Sequence, residues 1–442
     1  MNIRLSDHFT YKKLAHFVLP SIIMMIFTSI YGVVDGLFVS NFVGKTAFAS
    51  LNFVTPFIMV LGGMGFMVGT GGSALVAREL GRGNREKADR YFTMMLIFTV
   101  LLGLVLTMGG LLFVRPISLM LGVTEAMLED CVLYGSIVIS FTTAFMLQNV
   151  FQSFLVVAER PRLGLIFTVA AGVTNAILDA VFIIGFGWGL AGAALATGIG
   201  QCVGGLAPLV YFLRPGANLR LHKTGLEARP LLKACANGSS ELMSNISSSI
   251  VSMLYNFQLL RLIGEDGVSA YGVLMYVQFI FIAIASGYAI GRAPIVSYHY
   301  GAQNHGELKN MLRKSVTLAA GSGVVLTALA LVLAGPLAKL FVGYDPGLYA
   351  LTVHAFRLCA FSFLLAGFNI FASGFFTALN DGGVSATISF LRTLVFQALS
   401  VLLLPLILGI DGIWWAITVA EVFACLISVI FLAAKRKKYH YI

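Results

Sequence analysis

The amino-acid sequence predicts an all-α polytopic membrane protein with about twelve transmembrane helices, arranged as two six-helix bundles related by internal duplication. Three observations support this fold class. Of the 442 residues, 58% are hydrophobic and only 11% are charged, with a mean hydropathy of +0.91, and no water-soluble fold can hide so much apolar surface. Apolar runs of about 20 residues recur along the whole chain. The second half of the sequence also repeats the first.

Each apolar run is long enough to cross a hydrocarbon layer about 30 Å thick at a helical rise of about 1.5 Å per residue. The runs lack the period-two alternation of a membrane β-barrel, so helices are favoured. The first run follows Lys12 and Lys13 and is too long for a signal-peptide core, so we expect it to be retained. The predicted spans are 14–40, 50–77, 91–114, 130–157, 162–186, 189–213, 234–260, 270–297, 311–334, 353–378, 384–408 and 412–434.

The net charge of +10 follows membrane topology rather than a nucleic-acid surface, because the basic residues cluster in alternate loops. The loops on one side hold Arg4, Lys12, Lys13, residues 78–90, Arg160, Arg162, residues 214–233, 309–314 and 435–438, whereas the other side holds little more than Lys45, Arg115, Arg261 and Lys339. The bias predicts that both termini face the cytoplasm. We therefore expect a multi-pass protein of a bacterial cytoplasmic (inner) membrane that binds no nucleic acid.

The internal duplication aligns residue n with residue n+220 without a gap from the first helix almost to the end. The aligned pairs are Gly44 and Gly264, Gly81 and Gly301, Asn84 and Asn304, Pro116 and Pro336, Asn149 and Asn369, Gly189 and Gly409, and Gly192 and Gly412. Six helices per repeat is an even number, so the two repeats are parallel about an axis along the membrane normal. This divides the chain into a first lobe at 1–213, a linker at 214–233 and a second lobe at 234–442.

Two similar bundles can enclose a central site and rock to expose it to either side of the membrane, so the duplication favours a transporter. An enzyme is disfavoured, because the sequence contains no zinc-protease motif, catalytic triad pattern or acidic metal motif. The five cysteines form no C-x-x-C pair, and Gly44-Lys45-Thr46 lacks the first glycine of a phosphate-binding loop. A scaffold or receptor would be expected to carry longer extramembranous segments.

Several motifs resemble the multidrug and toxic compound extrusion (MATE) family over essentially the whole chain. The first helix carries Pro20 followed by Tyr31, Asp35, Phe38 and Val39, which is similar to the family's first-helix pattern. The family's two cytoplasmic signatures resemble residues 77–84 and their repeat at 297–304. The stretch 237–241, taken with 297–301, is similar to the MepA-like multidrug branch.

A cluster of oxygen-bearing side chains in the first lobe is the candidate site for a coupling cation. Asn175 and Asp179 are spaced i, i+4 and project from one helix face. Depth counting places Asp35, Asp179 and Thr197 in the outer half of the membrane. The resemblance implies a proton or sodium site built from these four residues and Asn149, which lies deeper, with Na⁺ held at Asp35 and Asp179. No other cofactor is expected, and H⁺ and Na⁺ remain open as the coupling ion.

The second lobe lacks these acids, since Tyr255, Val395 and Leu399 align with Asp35, Asn175 and Asp179. Arg392 and Glu421 both lie at membrane depth, where an ion pair is the cheapest arrangement. The candidate substrate-binding residues of this lobe are Tyr255, Gln258, Tyr276, Gln278 and Glu241.

The function expected from these features is secondary active efflux of small-molecule lipophilic or organic cations by alternating access, in exchange for H⁺ or Na⁺. The alternative is an exporter or flippase of an amphipathic metabolite or lipid-linked compound, for which clustered arginines within the spans would be expected. We expect contact with membrane lipids and a monomer, because one duplicated chain already supplies both sides of a pathway.

Overall fold

The protein was analysed as a computed structural model, which describes residues 3–120, 125–214 and 216–441. Within those ranges every regular element is a helix, which confirms the all-α prediction. Nine of the described helices are long and apolar enough to cross a membrane, and two further pairs of shorter helices do so together across bends of 53° and 48°. Ala228–Leu262 has the matching length but too polar a composition for that test, and it completes the twelve.

The first lobe contains helices α1 to α6. They are α1 (Tyr11–Phe38, extended by a π-helical turn Val39–Val43), α2 (Lys45–Gly81), α3 (Arg85–Met120), the bent α4 (Glu125–Ser140 and Thr142–Val157), α5 (Pro161–Asp179, extended by a π-helical turn Ala180–Gly185) and α6 (Gly189–Phe212).

The second lobe contains helices α7 to α12 in the same order. They are α7 (Ala228–Leu262), α8 (Glu265–Gly301), α9 (His305–Val342), the bent α10 (Pro346–Ala360 and Phe363–Ala378), α11 (Gly382–Phe390, a π-helical turn Leu391–Phe396, and Gln397–Leu408) and α12 (Ile410–Tyr439).

The connections between helices repeat from one lobe to the other down to their backbone conformation. Residues with positive φ occur in pairs 220 apart at Gly44 and Gly264, Gly83 and Gln303, and Gly189 and Gly409. The pair after α4 and α10 is Glu159 and Asn380, which lie 221 apart. The gapless register is therefore wrong by one residue in this region, and it recovers before α6 and α12.

Both chain termini and the connection between the lobes lie on one side of the molecule, which we call the terminal face. The other side, which we call the opposite face, carries the loops after α1, α3, α5, α7, α9 and α11. Large apolar side chains such as Leu112, Val332 and Leu406 are 73 to 80% exposed, as expected for helix faces that contact lipid.

The two lobes pack through glycines in the half of the molecule nearer the terminal face. A Cβ atom built on Gly71 would overlap the carbonyl oxygen of Ala234, and one built on Gly238 would overlap that of Met67. Gly301 of α8 approaches α2 equally closely. Small residues permit this approach of helix backbones in a membrane, where no hydrophobic force joins helices. The contact zone joins α2 to α7 and α8.

The segment before α1 also joins the lobes at the terminal face. The backbone N–H of Leu5 donates to Glu159 of the first lobe at 2.7 Å. The N–H of Phe9 donates to Glu307 of the second lobe at 3.0 Å, and His8 lies 2.6 Å from the same carboxylate. Leu5 and Phe9 are fully buried. Residues 3–10 therefore form a link between the lobes that would have to break for the terminal face to open.

We expect Gly238→Ala to destabilise the protein by about 1–3 kcal/mol, because overpacking at a tight contact forces the backbones apart. The matched control is Gly321→Ala in α9, where an added Cβ meets nothing within 4 Å. This control should be neutral or slightly stabilising, since alanine is the better helix former. Thermal unfolding in detergent measures both, and equal melting temperatures for the two variants would contradict the assigned packing.

Candidate functional site

The structure brings together four side chains predicted for the cation site. The Thr197 hydroxyl of α6 donates to Asp35 Oδ1 of α1 at 3.5 Å, and Asn175 Nδ2 of α5 donates to Thr197 Oγ1 at 3.4 Å. The carboxyl group of Asp179 lies next to that of Asp35, close enough for the two to share one hydrogen bond. Asp179 is fully buried and Asp35 is 9% exposed.

Local helix geometry positions these side chains. Asn175 and Asp179 lie on the same face of α5, one turn apart, and point toward α1 and α6. Gly200 of α6 allows α5 to approach, since a Cβ there would lie 3.0 Å from both Ala171 O and Asn175 Cβ. That approach brings Thr197, one turn from Gly200, within reach of the α5 side chains.

Both acid-bearing helices change their winding just beyond the acid. Asp179 is the last α-helical residue before the π-helical turn Ala180–Gly185, and Asp35 precedes the π-helical turn Val39–Val43 by one turn. Such π-helical turns occur frequently at functional sites. Both turns face the side of the molecule opposite the termini, so the acids lie in that half of the membrane.

The two carboxyl groups have no basic partner within 4.0 Å among the described residues. Neither oxygen of Asp179 accepts a hydrogen bond from a donor group of the described chain. Two ionised carboxylates side by side at membrane depth repel each other and lose their hydration. Because both are acceptors only when ionised, a hydrogen bond between them requires a proton, and a bound cation is the other means of compensation.

The sequence analysis missed the polar side chains that surround this pair. Tyr31 lies one helical turn before Asp35 and is close to Gln148, and Tyr134 is close to Thr197. The Oε1 atoms of Gln148 and Gln201 are buried without a donor. Tyr31 carried a sequence signal, its i, i+4 spacing from Asp35, and Gln201 has the same spacing from Thr197, whereas Tyr134 and Gln148 come from α4 through tertiary packing.

Asn149 is not brought to this cluster. Its Nδ2 atom donates to the carbonyl oxygen of Gly62 at 3.0 Å and so links α4 to α2. The neighbouring Gln148 faces the site instead, because adjacent residues of a helix project about 100° apart. The second parts of α4 and α10, Thr142–Val157 and Phe363–Ala378, correspond at a spacing of 221, so Asn369 corresponds to Gln148 rather than Asn149.

Arg392 and Glu421 lie together in the middle of the second lobe. Arg392 Nη2 lies 2.8 Å from Glu421 Oε1, and Nε lies 3.0 Å from both carboxylate oxygens. Asn369 Nδ2 donates to Glu421 Oε2 at 2.6 Å. The side chains of Arg392 and Glu421 are 12% and 2% exposed, so the pair is almost completely buried.

Two of the five candidate substrate residues on α7 and α8 lie inside the second lobe. Tyr255 stacks on Tyr271 with ring centroids 4.8 Å apart, and Gln258 Nε2 donates to Val401 O at 3.2 Å. Both residues are less than 10% exposed. They pack against neighbouring helices of their own lobe and do not reach the surface between the lobes.

Two more candidate residues lie on opposite faces of α8. Tyr276 is 41% exposed and stacks on Phe341 at 6.1 Å. Gln278 precedes Gly287 by nine residues, which is half a helical turn out of phase. Gly287 contacts α1 of the first lobe, so Gln278 points away from that lobe.

Glu241 remains as the candidate substrate residue at the contact between the lobes. It is partly buried on α7, three residues beyond Gly238. No Lys, Arg or His nitrogen of the described chain lies within 4.0 Å of its carboxylate.

Comparison with known proteins identifies the family. The family model MatE matches residues 20–181 and 242–402, one segment in each lobe. The multidrug export protein MepA of Staphylococcus aureus (strain MRSA252) is 22% identical over 433 residues, covering 97% of this chain and 94% of that protein. MepA of Staphylococcus haemolyticus is 23% identical over 432 residues, with the same coverage.

Solved structures share the fold. A crystal structure of a MATE protein in complex with MaL6 superposes with a TM-score of 0.91 at 21% identity, covering 96% of both chains. A multidrug resistance MATE family transporter, described as outward-facing, gives a TM-score of 0.91 at 22% identity and the same coverage. Since the family model covers most of both lobes, the chain belongs to the MatE family of multidrug and toxic compound extrusion transporters and is a membrane transporter rather than an enzyme.

Proposed function

We propose that this protein is a secondary active exporter of organic cations that exchanges its substrate for H⁺ or Na⁺ by alternating access. The observation that carries the proposal is the buried pair Asp35 and Asp179, which has no basic partner within 4.0 Å among the described residues. An intramembrane acid without a structural partner is a functional site by default. The name of the MepA relatives, multidrug export protein, supports export of small molecules.

The coupling mechanism requires only that the ion bind more tightly in one conformation than in the other. A proton shared by Asp35 and Asp179, or a Na⁺ ion held by their oxygens with those of Thr197 and Asn175, removes the repulsion between the two carboxylates. The donor set is all oxygen, which suits either ion. Ion binding then favours the arrangement of α1, α5 and α6 that packs best around a neutral site, and this rearrangement releases the substrate.

The arrangement of the lobes supports an outward-facing conformation. The glycine contacts between lobes lie near the terminal face, and the acids lie toward the opposite face, from which an external ion would enter. The basic residues near the terminal face favour a cytoplasmic location for both termini. We further propose that the protein acts as a monomer surrounded by lipid, since one chain supplies both lobes.

The test is transport by purified protein in liposomes of a fluorescent lipophilic cation. An inward gradient of H⁺, an inward gradient of Na⁺, or neither is imposed. Export that follows one gradient establishes coupled transport and names the ion. No gradient-driven movement of any cation would overturn the proposal and favour export of an amphipathic metabolite or lipid-linked compound.

A further inference from the structure

Helix α7 is far more polar than a membrane helix needs to be. Ten of the eighteen residues from Ser239 to Asn256 are Ser, Asn or Glu, and this is the one span among the twelve that is too polar for the length-and-composition test of a membrane helix. Polar groups inside a membrane are costly and mark pathways or binding sites. The positions of the polar residues on α7 indicate whether they line a pathway or form a binding site.

The contacts of α7 show which face meets the first lobe. Ala234 and Gly238 touch Gly71, and the Asn245 side chain lies 3.4 Å from the Cβ position of Gly63. Continuing from Gly238 at spacings of three or four, this face presents Glu241, Asn245 and Ser248 and then Ser252 and Asn256. The lipid side of the helix is separate and consists of Met243, Ile250, Met253 and Phe257, which are 38 to 64% exposed.

The contact between the lobes ends partway along this face. Asn245 still meets Gly63, but farther toward the opposite face Ser248 and Asn256 are exposed. On α2, the exposed residues that continue beyond Gly63 include Phe53 and Met59, which are 40 and 48% exposed, and Asn52. The lobes therefore diverge here, with a polar wall on α7 opposite a largely apolar wall on α2, and Glu241 lies where they meet.

The hydrogen bonds of the polar wall leave it as an acceptor surface. The Ser248 hydroxyl donates to Ser244 O at 2.8 Å, and Asn245 Nδ2 donates to Glu241 O at 3.0 Å. The Ser248 hydroxyl hydrogen and one of the two Asn245 amide hydrogens are thus used within the helix, and Ser248 Oγ and Asn245 Oδ1 keep lone pairs that accept hydrogen bonds. We call Glu241, Asn245 and Ser248 the acceptor face. It offers one negative charge and several acceptor oxygens.

We propose that the acceptor face is the substrate-binding wall of the transporter and that it selects organic cations carrying N–H donors, such as guanidinium and amidinium compounds, over quaternary cations. This inference rests on the proposed export function and specifies its substrate. Glu241 supplies the counter-charge, Asn245 and Ser248 accept the remaining N–H groups, and Phe53 and Met59 of α2 contact the hydrophobic part of the molecule. A quaternary cation satisfies the charge but leaves the acceptors unpaired.

The test compares two probes that differ only in their cationic head group, a dansyl-hexyl guanidinium with N–H donors and a dansyl-hexyl trimethylammonium ion without them. Both are permanently charged, so a pH gradient cannot drive passive accumulation of either. Wild-type protein should export the guanidinium with a kcat/KM at least about tenfold higher, the ratio expected from one or two charge-assisted hydrogen bonds. Glu241→Gln should reduce export of both probes, and Ser248→Ala with Asn245→Leu should remove the preference.

The control is Ser247→Ala, the same substitution as Ser248→Ala on the adjacent residue, whose side chain is buried and faces the second lobe. It should keep the preference. Equal export of the two probes by wild-type protein, or full activity of Glu241→Gln with the guanidinium, would overturn the assignment. If the gradient still drives export of either probe, such a result overturns only the acceptor-face assignment. Absence of gradient-driven export of both probes would instead overturn the export function.

Discussion

Asp179→Asn is expected to abolish gradient-driven export, with a fall in rate of at least two orders of magnitude. An amide cannot bind a proton at working pH and carries no charge to hold Na⁺, so the second lobe and its substrate surface remain but the coupling ion has no site. Asp179 should be more sensitive than Asp35, because it is fully buried and neither of its oxygens accepts a hydrogen bond from the described chain. The measurement is export from liposomes under the active gradient.

The matched control for this prediction is Asp411→Asn, which makes the same change at an exposed carboxylate 2.8 Å from His354. It should transport at the wild-type rate. Downhill movement of substrate in Asp179→Asn, without any imposed ion gradient, should survive in part, since the substrate wall is intact. Wild-type gradient-driven export by Asp179→Asn would remove this aspartate from the mechanism.

Glu421→Gln is expected to cause the largest loss of stability of any single change considered, about 3–5 kcal/mol. The substitution leaves the Arg392 guanidinium 12% exposed and without the carboxylate that accepts three of its contacts. Removing one member of a buried ion pair leaves the other charge buried without a partner, which lowers the free energy of unfolding. Removing both members leaves no unpaired charge. Thermal unfolding of the purified protein in detergent measures the loss as a fall in melting temperature.

The double variant Arg392→Leu with Glu421→Leu provides the comparison. It removes both charges together and should recover most of the stability lost in Glu421→Gln, because paired apolar replacement of a buried ion pair is often neutral. A double variant as unstable as the single one would show that the pair does more than neutralise itself. Asn369, which donates to the same carboxylate, would then be the first residue to examine.

The sequence predicted the twelve spans well because each is defined by an apolar run. It placed their ends poorly. Helix α3 occupies Arg85–Met120 where the apolar run suggested 91–114, and α7 begins at Ala228 rather than at residue 234. The physical reason is that a helix continues into water through charged residues such as Arg85, while hydropathy detects only the part inside the bilayer.

The clustering of the candidate cation-site residues was predictable where side chains follow helical spacing and less so where packing decides. Asp179 and Asn175 share a face by an i, i+4 relation that is visible in the sequence. Tyr134 and Gln148 lacked any such relation, since only the packing of α4 brings them to the site. Asn149 was expected there from the family resemblance, but its side chain donates to Gly62 O of α2, and the adjacent Gln148 faces the site instead.

The candidate substrate residues show most clearly what could not be predicted from the sequence alone. An aromatic or amide residue such as Tyr255 or Gln258 can line a cavity or join two helices of one lobe, and composition does not distinguish these uses. The structure places both inside the second lobe. The face of α7 that meets the first lobe was hidden in the sequence, because its direction depends on where Gly71 and Gly63 approach it.

The segment before α1 bears on how the transporter behaves when no substrate is present. An antiporter that changes conformation while empty wastes the ion gradient, because ions return without exporting anything. Residues 3–10 tie Glu159 to Glu307 across the terminal face, so an idle molecule meets an added barrier before that face opens. In the proposed antiport cycle these contacts would slow the opening of the terminal face, and we expect removal of residues 3–10 to speed that step.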